Sequence, residues 1–245
     1  MAVLTPLEIF YGSFTLVSVV ISTILGILIT LKYRRYEKLE YIAVGLTWIL
    51  LASPYWSDAI QFISVMIFGV EIPTALYFFL ANAFIAPMYV TWIFALTSIL
   101  FVKRRKLLRI IFAIAALAFE TIFLTIFFID FNLIGEQKSS FVVEWAIWIQ
   151  IYLLISIALL LITGFLFARA SLKSETSEVK LKGIFLLIAF ICFTIATVID
   201  VIGADSPTEV TILLARTFLI VSSLFFYVGY TMPKFIRNLF IKQRE

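Results

Sequence analysis

Histidine is absent from the 245 residues, and cysteine occurs once, at Cys192 in an apolar run. With no imidazole and a single thiol, the chain cannot form an internal disulfide, a Cys/His zinc site or a histidine-ligated haem. Cys192 reads as an inert buried thiol. Charged residues make up only 14%, and Gly (9) and Pro (6) are scarce. The phosphate-cradling glycine loop, the HExxH helix and the GxSxG elbow are all missing. So is the aspartate pair of a GxGD-type intramembrane protease, since Gly203-Ala204-Asp205 falls at an expected surface turn. A retinal protein needs a lysine in the middle of the last apolar segment, and Arg216 stands there instead. The expectation is a non-enzyme with no cofactor and no metal.

What is present is hydrocarbon. Apolar residues reach 63%, with 26 Phe, and the mean hydropathy is +1.12. A soluble domain of this length is nearer half apolar and a quarter charged. A helix needs about 20 apolar residues to cross a bilayer. Segments of that kind are expected at about 7–31, 40–69, 73–102, 107–130, 141–168, 183–203 and 208–231. The fold class is therefore an all-α integral membrane protein, one bundle of seven transmembrane helices without a separate soluble domain. Pro54 and Asp58 interrupt the long second segment and predict a kink near Ser53-Pro54. Basic residues do not precede the first run, which is too long for a signal peptide and reads as a span that stays.

Lysine and arginine set the orientation. Lys32, Arg34, Arg35 and Lys38 fill the first connection, and Lys103 to Lys106 with Arg109 fill the third. Arg169, Lys173, Lys180 and Lys182 fill the fifth, and the tail from 232 holds Lys234, Arg237, Lys242 and Arg244. Of the 19 basic residues only Lys138 and Arg216 remain. By the positive-inside rule the N-terminus is outside and the C-terminus cytoplasmic, with the plasma membrane as location. The pI near 9.1 reflects these loops and implies no nucleic-acid partner. In the tail, apolar residues at 235, 236, 239 and 240 form a helical stripe between basic ones, suited to anionic lipid of the inner leaflet.

An arginine keeps its charge, so Arg216 inside the last segment requires carboxylates, carbonyls or water around it. At 1.5 Å per residue it lies ~12 Å below the outer end. Asp58, Gln61, Asn82, Glu120 and Gln150 also fall in outer halves of their segments, while Glu144, Asp200 and Glu209 are read as a solvated outer rim. If the helices close in sequence order, Asp58 is the expected partner of Arg216. The six residues Asp58, Gln61, Asn82, Glu120, Gln150 and Arg216 are the candidate ligand pocket. The plainer reading of the same charges is a helix-locking ion pair. Trp56, Trp145 and Trp148 fit an outer aromatic belt, and Trp48 and Trp92 fit helix-helix packing.

Three stretches carry a resemblance: Leu46-Thr47-Trp48-Ile49-Leu50-Leu51-Ala52-Ser53-Pro54, Ala86-Pro87-Met88-Tyr89-Val90, and the exit Gly229-Tyr230-Thr231-Met232-Pro233-Lys234-Phe235. Together they resemble the seven-helix N-terminal sensor region of prokaryotic membrane histidine kinases and related stand-alone archaeal or bacterial membrane proteins. The resemblance implies a sensor that hands a signal to a cytoplasmic kinase or cyclase, and with the outer-half pocket the expectation is a receptor-like protein that takes a small-molecule ligand from outside and signals to a cytoplasmic partner. Because the chain stops about twelve residues after Pro233, that partner is expected to be a separate protein. The alternatives are a small-solute or ion-coupled transporter using Asp58 and Glu120, or a structural subunit of a membrane complex. A sugar-type facilitator would repeat its prolines in both halves, and Pro54 and Pro87 have no counterparts in the last three segments.

Overall fold

The computed structural model describes residues 3–203 and 208–241; Asp205 of the expected turn, and Lys242 and Arg244 of the tail, lie outside them. The helices are α1 (Pro6–Leu31), α2 (Tyr33–Tyr36), α3 (Leu39–Leu51), α4 (Trp56–Phe68), α5 (Thr74–Asn82), α6 (Ile85–Ile99) and α7 (Arg105–Asp130). They continue as α8 (Ile147–Leu172), α9 (Ser177–Gly203), α10 (Glu209–Thr231) and α11 (Lys234–Ile241). Six helical stretches among the described residues are long and apolar enough to cross a membrane. The chain is thus an all-α, multi-pass membrane protein.

Helix starts follow local chemistry. Thr5 and Glu8 form a reciprocal capping box on α1, and Thr208 and Thr211 do the same on α10. Each satisfies backbone N–H groups that a helix start otherwise leaves open. The expected kink is a full break: α3 ends, Ser53–Tyr55 make one 3₁₀ turn, and α4 begins. Pro54 within that turn lacks the N–H to continue an α-helix. The expected third span is likewise split into α5 and α6, because Pro87 cannot donate back to Ala83. Gly69 ends α4 in the left-handed region, φ 67°.

The fifth segment departs most from expectation. The helix starts at Ile147, not near 141; strands β1 (Gly135–Gln137) and β2 (Val143–Trp145) pair antiparallel before it. Val143 and Trp145 favour a strand, and hydropathy cannot separate a short apolar strand from a helix end. Lys138 ties the hairpin through Glu136 at 2.6 Å and Glu144 at 3.2 Å. Those two bonds, Glu136 first, raise the Lys138 pKa above its ordinary value. The tie is therefore complete below the usual lysine pKa and is lost as pH climbs through the raised one. At the other end, the polar stretch 170–182 is mostly helical, since α8 runs on to Leu172 and α9 starts at Ser177.

The helices pack in a ring: α3 and α4 on α1, α1 on α10, α10 on α9, α9 on α8, and α6 on α3 and lightly on α8. α7 leans outside this ring on α6, and its Phe119 stacks on Tyr152 of α8. Its apolar positions are mostly exposed, as suits a helix facing lipid. α11 carries the tail's stripe, with Phe240 on Phe185 of α9 and Phe235 exposed.

Candidate functional site

The centre is Arg216, only 1% exposed, on the inner face of α10. Its Nη1 donates to both carboxylate oxygens of Asp200 on α9, at 3.0 and 2.8 Å. Its Nε donates to Thr15 Oγ1 on α1 at 2.9 Å. The guanidinium lies over the rings of Tyr55 (4.7 Å) and Tyr11 (5.1 Å), so aromatic faces complete its surroundings. Tyr55 also donates to Asp200 Oδ2 at 2.8 Å.

Asp58 belongs to the same cluster but not as the ion-pair partner. It accepts from Tyr11 at 2.9 Å and from Tyr77 on α5. Two neutral O–H donors satisfy its oxygens, and Tyr11 joins it to Arg216 by edge and face. The expected Asp58–Arg216 pair is thereby corrected to Asp200–Arg216, and Asp200 is corrected from rim residue to half-buried partner. The reason is direction. A Cβ on a helix leans toward the N-terminal end, so Arg216, seven residues into α10, leans back toward the end of α9 where Asp200 stands. Asp200 could have been flagged as the lone charge in the apolar run of α9; Tyr11, Thr15, Tyr55 and Tyr77 gave no comparable signal among so many hydroxyl and aromatic residues.

The other sequence candidates do not converge there. Gln61 is buried one turn from Asp58, and its Oε1 accepts from Ile72 N at 2.9 Å, holding the 69–73 connection against α4. Asn82 donates to Phe78 O of its own helix. Gln150 is exposed and donates to Trp145 O, and Glu120 lies on α7, with Oε2 buried and unpartnered.

Above the cluster the hairpin forms a cover. Phe141 packs on Tyr11 at 5.3 Å, with Leu4, Phe62 and Val65 around it. Beside it opens a polar cup of about 390 Å³, lined by Glu8, Glu71, Thr74, Gln137, Lys138 and Ser140 among others. Thr74 donates to Gln137 Oε1 at 2.9 Å, and Ser140 donates to Glu71. Glu8 and Thr74 stand three residues, about one helical turn, N-terminal to Tyr11 on α1 and Tyr77 on α5. The cup therefore opens just beyond the two phenols that grip Asp58.

No protein-family model and no curated protein matches this chain. Beneath the cluster the bundle is closed by aromatic packing: Trp48 stacks on Phe226 at 3.9 Å, and Phe190 meets Phe226 edge-on at 6.1 Å. Trp92 donates to Thr163 Oγ1 at 2.7 Å, pinning α6 to α8.

Proposed function

We propose that this is a receptor-like membrane protein that crosses the plasma membrane seven times and signals to a separate cytoplasmic partner. The broken pair α3–α4 supplies the seventh span. Gly26 in the second half of α1 meets α3 at Gly45, and Gly12 in its first half meets Phe62 of α4, so the two short helices lie end to end along α1. The hairpin end is outside and the basic end is cytoplasmic, as the lysine and arginine distribution supports. Single cysteines at Ser139 and Ser174 test this against a membrane-impermeant maleimide in intact cells. Ser139→Cys is expected to label readily and Ser174→Cys only after lysis; the reverse pattern would invert the topology.

The ligand in this reading is a small polar molecule entering the cup from outside. The observation that carries it is the cup's place one turn above Tyr11 and Tyr77, which lead through Asp58 and the Tyr11 ring to Arg216. A ligand that binds the two arrangements of this cluster differently would shift α9 and α10 and, with them, the basic ends presented to a partner. The closed Trp48–Phe226 stack favours sensing over passage of a solute. The buried Arg216, bonded to Asp200 on α9 and Thr15 on α1, also supports a second reading, a helix lock without a ligand.

A thermal-shift screen of small polar compounds on the purified protein separates the two. At 100-fold excess over Kd, a ligand of the folded state adds about 2.7 kcal/mol. The expected result is a hit abolished by Glu71→Gln and by Gln137→Leu, with the unliganded melting temperature little changed. A hit indifferent to both substitutions removes the cup from the proposal and leaves the helix lock.

A further inference from the structure

Directly inward of the charge cluster lies a second, much smaller cavity between α1, α3, α9 and α10. The centre of a water molecule has about 20 Å³ of room there, bounded by Ser18, Ser22, Ser223, Trp48 and Tyr55 together with apolar side chains. One water requires roughly 10–15 Å³ and two to four polar partners. The space is enough for one.

Ser18 donates to Thr15 O at 2.8 Å, Ser223 donates to Leu219 O at 2.9 Å, and Ser22 is bonded to Ser223 Oγ at 2.9 Å. Tyr55 donates to Asp200. With Ser223 giving its proton to Leu219, Ser22 gives its own to Ser223. The four hydroxyls have thus spent their protons and present only acceptor lone pairs to the cavity. Trp48 is the opposite: its Nε1–H is a donor only, it is buried, and it has no partner. An orphaned buried N–H carries a full desolvation penalty.

We infer that the cavity is a hydration site holding one ordered water, which accepts from Trp48 Nε1–H and donates to two of the surrounding hydroxyl oxygens. A cation or an ammonium group does not fit this donor set, because neither can accept from the indole. An apolar occupant leaves Trp48 unsatisfied. The water extends the polar track inward, from Arg216 and Asp200 to the indole that stacks on Phe226. It makes the Trp48 ring sensitive to the position of Tyr55, whatever occupies the cup.

Ultraviolet resonance Raman spectroscopy reads the hydrogen-bond state of an indole N–H directly. The wild-type spectrum minus that of Trp48→Phe isolates Trp48, and phenylalanine keeps the stack on Phe226. The expected difference spectrum is that of a hydrogen-bonded indole. Ala52→Val adds methyl groups to the cavity wall and is expected to expel the water, so that one of the five indoles moves to the non-bonded position. This second comparison does not depend on Trp48→Phe folding. A non-bonded Trp48 in the wild type, or a spectrum unmoved by Ala52→Val in the folded protein, overturns the inference.

Discussion

Arg216→Ala is expected to destabilise the bundle by about 3–5 kcal/mol, the usual cost of removing one partner from a buried ion pair. The substitution takes away the cation that joins α10 to α9 through Asp200 and to α1 through Thr15. It also leaves a large void against the rings of Tyr11 and Tyr55. Asp200 then keeps only the Tyr55 hydroxyl and whatever water reaches its half-buried side. Chemical unfolding in mixed micelles measures the loss, and double-mutant cycles assign it. The coupling of Arg216→Ala with Asp200→Asn is expected to be large, within the roughly 0.5–3 kcal/mol seen for contacting residues. Coupling with Asp58→Asn is expected to be smaller, because Asp58 reaches the arginine only through Tyr11. If Asp58→Asn coupled more strongly, the assignment of the ion pair to Asp200 would be wrong.

Gly45→Val is the second large effect, and it arises from backbone approach. A Cβ at Gly45 would sit 2.5 Å from Gly26 O and 2.8 Å from Thr30 N, both backbone atoms of α1. From the other side, a Cβ at Gly26 would sit 2.8 Å from Gly45 O. Small residues facing each other let membrane helices pack at this distance. A bulkier residue must push α1 and α3 apart where Gly26 and Thr30 meet Gly45. Overpacking of this kind costs about 1–3 kcal/mol and occasionally more. The melting temperature should fall clearly for Gly45→Val and by less for Gly45→Ala. Gly203→Ala serves as the control: among the described residues its added Cβ meets nothing closer than 3.5 Å, so no loss is expected. Equal behaviour at the two positions would show that the helices separate without strain.

Pro54 shows how much of the architecture is legible from a single residue: it removes one backbone donor and stands in the break between α3 and α4. The break between α5 and α6, over the two residues before the start of α6, was not expected, although Pro87 in the first turn of α6 removes a donor in the same way. The hairpin before α8 was not legible, because Val142, Val143 and Trp145 suit the start of an apolar helix as well as a strand. The helical ends at 170–172 and 177–182 were hidden for the opposite reason: helices continue past the hydrocarbon on polar residues that hydropathy counts as loop.

The candidate site divides along the same line. Arg216 and Asp58 stand out by themselves, since a charge in an apolar segment has no cheap alternative to a partner. Choosing the partner depends on the lean of a side chain along its helix and on which tyrosines arrive from other elements. Gln61, Asn82, Glu120 and Gln150 have equally polar side chains, yet three of them turn to backbone groups nearby and Glu120 lies on the outlying α7.

By itself, then, the sequence determined that the chain is a helical, multi-pass membrane protein with a buried guanidinium needing company. Those properties follow from transfer free energies summed over about 20 residues, and no contact between segments is required to compute them. Only the tertiary structure decided that Asp200 holds the arginine, that Tyr11 and Tyr77 hold Asp58, and that the Trp48 indole and the hydroxyls of Ser18, Ser22, Tyr55 and Ser223 line one water-sized cavity. Hydrogen bonds act over about 3 Å between residues as many as 201 positions apart, and such distances are set by packing alone.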